Sequence, residues 1–437
     1  MSSVTRKTFV RRLCVATAVA TLGVSAAHAE TFKIGVISLL SGPAAESFGQ
    51  PNINSVKLMV DKINKGEVPA PYTGQGIAGM QLEMVVIDEA AGAARVLEGV
   101  RGFVQRDQVD AILGPITSGN CLAVAPLAEQ LKKFTILSDC GTQRVFEEGS
   151  YQYVFRAGSH STMDNVSLAS YLIDAKVPVN TVAAINQDYA YGHDNWRDFK
   201  GALEKLAPET KVTDMLWPKF GAGQYGAEIS VLGKQKTDVV YSSLWGGDIQ
   251  AFLMQAAPRG LLKDREIALM AAAHVLPMMG KRFPEGVILG ERGAHGPLAK
   301  QDNPLNQWFT KEYEEAYKIS PASASAYRIV QSILGLKIAV EKAAEANGGQ
   351  KPNSEQIAAA MENLEWETPS GTIKMALANG HQAIQDAAVG VTKWDAENNR
   401  MTVTDVRYYP AHCINPPADM TSAEWIEAGL PVPDDCK

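Results

Sequence analysis

The feature that most constrains this chain is a strand-then-helix alternation that runs along it twice. It opens with Phe32-Lys33-Ile34-Gly35-Val36-Ile37-Ser38-Leu39. A β-branched apolar run this continuous suits a strand covered on both faces within a parallel sheet. A helical stretch at residues 49–64 and a second strand at 82–87 follow. Val96, Leu97, Val100, Phe103 and Val104 then recur at helical spacing, so one face of that helix packs on a sheet. A strand at 111–113, a helix at 122–131 and a strand at 134–138 continue the pattern. After a break at 155–163 it restarts, with strands expected at 182–186, 212–216, 239–242 and 267–270. Trp196, Phe199, Leu203 and Leu206 mark a helix face between the first two, and further helices are expected near 226–235 and 248–257. Repeated strand–helix–strand units give parallel sheets with right-handed crossovers, so the expected fold is α/β, with two Rossmann-like lobes. Residues 303–363 read as mostly helical, with an Ala-rich helix at 323–347. Strands are expected at 389–394 and 401–408, and the tail from Pro410 reads as irregular.

The N-terminus sets the compartment. Arg6, Lys7, Arg11 and Arg12 come without an acid, residues 13–27 are apolar or small, and Ala27-His28-Ala29 offers a small-x-small site. This order is that of a secretory signal cleaved after Ala29, and the apolar run falls short of the ~20 residues a membrane span needs. The expected location is therefore the periplasm, with no membrane insertion. Cys14 lies inside the apolar run, away from the place a lipid would be attached. Of 41 Lys and Arg the signal holds four, leaving 37 against 48 Asp and Glu, a formal charge of −11 on the mature chain. That balance argues against nucleic acid or an anionic membrane as partner. Cys121, Cys140, Cys413 and Cys436 remain, an even number in an oxidising compartment. Three pairings are possible, and proximity suggests 121 with 140 and 413 with 436; free buried thiols are the alternative. No clustered Cys/His set points to a metal, and no cofactor is expected.

Ligands of open parallel sheets bind beyond the carboxyl ends of the strands. Residues 38–42, 114–120, 138–142, 186–192, 242–247 and 271–274 are thereby the segments to search. Gly74-Gln75-Gly76-Ile77-Ala78-Gly79 fits a dinucleotide fingerprint, but it precedes a strand where the fingerprint must follow one, so it reads as a surface loop. There is no phosphate-binding loop, zinc-protease motif or nucleophile elbow. Asp88-Glu89, adjacent at a strand end, read as a solvated or structural pair rather than catalytic carboxylates. Gly114-Pro115-Ile116-Thr117-Ser118-Gly119-Asn120 links a buried strand to a helix. Its hydroxyls and main-chain N–H groups at a helix N-terminus suit a carboxylate guest, with helix capping by Ser118 or Asn120 as the plainer role. Cys140-Gly141-Thr142, at the next strand end, offers a second donor loop.

The chain resembles the periplasmic solute-binding proteins of ABC importers, in the branch typified by the leucine/isoleucine/valine-binding protein. The resemblance rests on Ile34-Gly35-Val36 leading to Leu40-Ser41-Gly42-Pro43, on Ile87-Asp88 and on Ile112-Leu113-Gly114-Pro115. Asp188-Tyr189-Ala190-Tyr191-Gly192 and Asp238-Val239-Val240-Tyr241 extend it, over roughly residues 32–410. It implies two lobes joined by three crossings, near Phe155-Arg156, Gly290 and Pro369–Gly371. The expected division is a signal at 1–29, a first lobe of 30–155 plus 291–370, a second of 156–290 plus 371–410, and a disulfide-closed tail at 411–437. It also implies ligand positions: Thr117 and Ser118 for a carboxylate, Cys140, Gly141 and Thr142 beside it, and Tyr191 and Trp245 as second-lobe walls. Phe48 and Tyr327 match first-lobe aromatics, and Ala273 falls where amino-acid binders place the acid that pairs with the ligand's ammonium.

That last departure shapes the expected ligand. A buried ammonium without a counter-charge costs several kcal/mol, so a carboxylate with an aromatic body fits better than an α-amino acid, with His274 able to bond a distal group. The expected function is capture of such a solute by hinge closure and delivery to a membrane permease, by a monomer that is not an enzyme. A branched-chain or other hydrophobic amino acid is the alternative ligand. A sensory ligand-binding module and an exported hydrolase, the latter resting on Ser118 with His274, are the rival classes.

Overall fold

The computed structural model describes residues 1–2, 30–320 and 322–436; the expected export signal and its cleavage site fall in residues 3–29, outside the described residues. Strands β1 (Thr31–Ser38), β2 (Gln81–Asp88), β3 (Ala111–Leu113), β4 (Thr135–Leu137) and β5 (Val154–Arg156) come first. Then follow β6 (Thr181–Ile185), β7 (Lys211–Leu216), β8 (Val239–Ser242), β9 (Glu266–Leu269) and β10 (Ile288–Gly290). Strands β11 (Glu365–Thr368), β12 (Gly371–Leu377), β13 (Gln382–Ile384), β14 (Ala387–Asp395) and β15 (Arg400–Tyr409) complete two sheets. The first is ordered β11-β12-β13-β5-β4-β3-β1-β2 and the second β15-β14-β10-β9-β8-β6-β7. In each the β1-type core is parallel, and antiparallel strands close one edge.

Period-two alternation explains why the apolar runs are continuous. Phe32, Ile34 and Val36 face a core built with the helices Gln50–Lys65 and Ala324–Ala346, whereas Ile37 faces Val100 and Phe103 on the opposite side. Gly35 shares that second face, where a Cβ would sit 2.6 Å from the Phe103 ring. In the second sheet Ala183, Ile185, Val240 and Leu269 point to one core, and Val182, Ala184, Tyr241 and Met270 to the other. Both sheets are thus sandwiched between helices, and both run-type strands are apolar on two faces.

Strand order reverses between β1 and β3 in one sheet and between β6 and β8 in the other, and the loops beyond these points face each other across a cleft. The chain crosses between sheets three times: after β5, after β10, and between β13 and β14. The third crossing corrects the expected one at Pro369–Gly371, because residues 371–384 pair within the first sheet. Those residues belong with the first lobe, and the return to the second lies at Gln385-Asp386. Arg292 ties the crossings together. Its carbonyl accepts from Ser159 Oγ (3.0 Å) and Gln385 Nε2 (3.2 Å), one group from each of the other two crossings.

Cys121 bonds Cys140 and Cys413 bonds Cys436, the pairings that proximity suggests. The tail is more than an irregular appendage. Its helix Ser422–Glu427 buries Trp425 and Ile426 against Phe199, Ala202 and Leu203 of the second lobe, and Ser422 N–H reaches Glu147 of the first (2.9 Å). Among the described residues no helix is long and apolar enough to cross a membrane.

Candidate functional site

A small cavity lies in the cleft, lined from the first lobe by Phe48, Ile116, Ser118, Asp139, Gly141 and Arg328. Tyr189, Tyr191, Trp245, Ala271 and Arg292 line it from the second lobe and its crossing. Phe48 comes from the turn before the helix Gln50–Lys65, Ser118 opens the helix Ser118–Gln130, and Asp139 and Gly141 lie just past β4. Tyr189 and Tyr191 follow β6 and Trp245 follows β8, so the strand-end segments converge as the parallel topology dictates.

The lobes are in contact. Phe48 packs against Trp245 with ring centroids 5.0 Å apart, and Trp245 Nε1–H donates to the Tyr189 hydroxyl (2.8 Å). The Arg328 guanidinium lies 5.4 Å from the Phe48 ring centre and that of Arg292 lies 5.6 Å from the Tyr191 ring centre. Such close approach needs glycine on both sides. A Cβ on Gly141 would stand 2.6 Å from the Tyr191 ring, one on Gly246 2.8 Å from Ala44 Cβ, and one on Gly247 2.6 Å from the Pro43 carbonyl oxygen.

The donors at the helix N-terminus are arranged differently from expectation. Glu89, fully buried, accepts from Ile116 N–H (2.6 Å), Thr117 N–H (2.8 Å) and Asn120 Nδ2 (3.1 Å). The protein's own carboxylate therefore fills the anion-binding position of that loop. Burial pushes its pKa up, and the Ile116 and Thr117 N–H groups pull it back. Asp88 is engaged too, by Leu40 N–H (2.9 Å) and Ser41 Oγ (2.6 Å), so both acids of the Asp88-Glu89 pair hold loops. On the cavity side the donors are Ser118 and the neighbouring loop. Gly141 N–H and Thr142 N–H converge on Ser118 Oγ at 3.3 and 3.2 Å.

Five of the eleven expected positions meet in the cavity: Phe48, Ser118, Gly141, Tyr191 and Trp245. The other six are placed beside or behind it. Cys140 has its sulfur in the disulfide and its carbonyl bonded by Arg156, and it fastens the second donor loop to the helix of Cys121. Thr142 offers its N–H toward Ser118 while its hydroxyl accepts from Arg144 N–H (3.3 Å), and the N–H of Thr117 belongs to Glu89. Tyr327 is buried in the first-lobe core, donating to Asn306 Oδ1 (2.8 Å) rather than facing the cleft. His274 accepts from Gly246 N–H on Nε2 (2.8 Å), which puts its proton on Nδ1, 3.8 Å from Glu291 Oε1. That bond commits Nε2 and removes it as a base for Ser118. Ala273 does have an acid behind it: Glu291 Oε2 accepts from Ala273 N–H (2.6 Å). The acid comes from a distant segment and braces the loop.

Six lining residues were not expected from the sequence: Ile116, Tyr189 and Ala271, and the charged Asp139, Arg292 and Arg328. Asp139 Oδ1 accepts from Arg328 Nε (2.6 Å) and Arg292 Nη1 (3.0 Å), and Arg292 also bonds Asp164 (3.2 Å) and the Ser159 carbonyl (3.0 Å). All four charged side chains are at most 5% exposed. Burial lifts the Asp164 carboxyl to about 6 against the pull of Arg292. A signal for Arg328 was present: it sits in the run Ala322-Ser323-Ala324-Ser325-Ala326-Tyr327-Arg328-Ile329-Val330, where a charge on an all-round buried helix must find a partner.

Comparison with known proteins agrees with this architecture. The family model described as periplasmic binding protein matches residues 31–398. The leucine-, isoleucine-, valine-, threonine- and alanine-binding protein of Pseudomonas aeruginosa is 23% identical, over 83% of this chain and 90% of that protein. An ABC transporter solute-binding protein of Rhodopseudomonas palustris, solved with 3,4-dihydroxybenzoic acid, superimposes with a TM-score of 0.75 at 20% identity, covering 89% of this chain and 99% of its own. A leucine-binding protein of Thermotoga maritima gives a TM-score of 0.69 at 20% identity, over 86% and 98% respectively. With a matched region that takes in strands β1 to β14 and every residue lining the cavity, the chain belongs to the periplasmic binding protein family.

Proposed function

We propose that this chain is the extracytoplasmic solute-binding component of an ABC importer, and that it captures a small aromatic carboxylate between its lobes. The carrying observation is the charge pattern of the cavity wall. Its charged lining is two guanidiniums and one carboxylate, and the carboxylate, Asp139, is already held by both cations. Asp164 pairs with Arg292 from behind. Both acids are thus paired with guanidiniums, and a zwitterionic amino acid would bring its ammonium beside two arginines, at a cost of several kcal/mol. A carboxylate meets the opposite situation: Ser118 Oγ, which accepts from the Gly141 and Thr142 N–H groups, keeps its own O–H to donate, and the Arg328 side chain stands on the same wall. Phe48, Tyr189, Tyr191 and Trp245 then supply flat apolar walls for a ring.

Capture follows from this geometry. The carboxylate docks on the first lobe, the second lobe swings Tyr191 and Trp245 over the ring, and the three crossings bend together because Arg292 ties them. The closed surface is what a membrane permease recognises. A hydrophobic α-amino acid remains the second reading, favoured by the Pseudomonas relative's name. A thermal-shift panel of benzoate, hydroxybenzoates, leucine, valine and small amides decides between them. Stabilisation by an aromatic acid at millimolar concentration is expected; stabilisation by leucine or valine alone overturns the aromatic reading.

A further inference from the structure

Two polar atoms on the cavity wall are buried and without a hydrogen-bond partner: Asp139 Oδ2 and the Tyr191 hydroxyl. Both side chains flank one guanidinium, since Arg292 donates to Asp139 Oδ1 and lies against the Tyr191 ring. Buried polar groups are almost always paired, so two orphans on the wall of one ligand cavity, both beside Arg292, mark a place where the ligand supplies the partner. The pair also defines that partner. Oδ2 can only accept, whereas a tyrosine hydroxyl can donate, so a single ligand group that serves both must donate and accept at once. A hydroxyl does both. An ammonium offers no acceptor and brings positive charge beside Arg292 and Arg328, and a methyl or halogen offers no donor.

We infer that the solute carries, besides its carboxylate, a neutral hydroxyl that donates to Asp139 Oδ2 and accepts from the Tyr191 hydroxyl. Asp139 and Tyr191 are then specificity-determining residues for a hydroxylated aromatic acid. The inference rests on the aromatic-carboxylate reading above and adds a second polar anchor to it.

The test is isothermal titration of wild type with benzoate and with 2-, 3- and 4-hydroxybenzoate, repeated on Tyr191→Phe and Asp139→Asn. In wild type at least one hydroxybenzoate should bind about tenfold or more tighter than benzoate, because a site built to bond a hydroxyl discriminates strongly against its absence. In Tyr191→Phe the ratio of those two affinities should fall severalfold toward one. Asp139→Asn, which presents a donor or a neutral acceptor in place of Oδ2, should lower it further; should that variant fail to fold without the charge opposite the two arginines, the Tyr191→Phe ratio decides alone. Equal affinity for benzoate and all three hydroxybenzoates overturns the inference and leaves the aromatic reading standing. An unchanged ratio in Tyr191→Phe also overturns it. Absence of binding by any of the four acids removes both.

Discussion

Gly247→Ala isolates closure from folding. In the closed cleft the Cβ added there would stand 2.6 Å from the Pro43 carbonyl oxygen and 3.2 Å from Pro43 Cβ, across the lobe boundary. Ordinary contact begins near 3.4 Å, so the lobes must part locally by about 0.8 Å. The obstruction is backbone, which cannot swing aside as a flexible side chain would. Within its own lobe the substitution is mild, since Gly247 opens the helix Gly247–Ala256, where alanine is the better helix former. Overpacking of this kind costs about 1–3 kcal/mol, and here it falls on the closed state. The dissociation constant of the solute should therefore rise about 5- to 150-fold, with the melting temperature of the free protein close to wild type. Isothermal titration gives the affinity, and small-angle scattering with saturating solute reports incomplete compaction. Gly233→Ala serves as control, because a Cβ there meets nothing within 4 Å. An unchanged affinity with full compaction in Gly247→Ala would refute the reasoning that this turn seats against Pro43 when solute binds.

Ser118→Ala removes the hydroxyl on which Gly141 and Thr142 converge. Losing a bond to a charged group costs about 1.5–3 kcal/mol, so solute affinity measured by titration should fall about 10- to 150-fold without loss of fold. Replacing Cys121 and Cys140 together by alanine opens a loop of sequence separation 19; chemical denaturation should show a loss of about 3 kcal/mol on the chain-entropy estimate, and affinity should fall as well because the Gly141 loop is released from its helix. His160 is buried and its pKa is held down at about 3, by burial first and by Arg156 second. Below the ordinary value near 6.5 the unfolded chain takes up a proton that the folded chain refuses, so this histidine costs stability as pH falls. Between pH 7 and pH 5 urea unfolding of wild type should lose about 2 kcal/mol more than that of His160→Gln; parallel losses would contradict the assignment.

The sheets were legible because burial on both faces leaves a continuous apolar signature, as Ile34-Gly35-Val36-Ile37 and Val239-Val240-Tyr241 show. The third crossing was not. Residues 371–377 and 382–384 form short antiparallel or edge-joining strands, and Gln382 is buried there for its bonds to Arg156 and the Gly158 carbonyl, not for apolar area. A polar residue in a three-residue strand carries no periodic signal. The aromatic half of the cleft and Ser118 were reachable from strand-end position and family resemblance. Asp139, Arg292 and Arg328 were not, because they come from three distant segments and make sense only as partners of one another. Asp88-Glu89 read as a solvated or structural pair, and the structure decides for the second in Glu89: a carboxylate at a strand end looks solvated until the loop it holds is folded over it.

The central claim is tested most directly by titrating one preparation with an aromatic acid and with leucine, each alone and each in the presence of the other. One-to-one binding of 4-hydroxybenzoate or benzoate in the micromolar range, undisturbed by excess leucine, is the predicted result. Tight one-to-one binding of leucine, with no heat from any aromatic acid, would contradict the reading of Asp139, Arg292 and Arg328 as a cluster that excludes an ammonium.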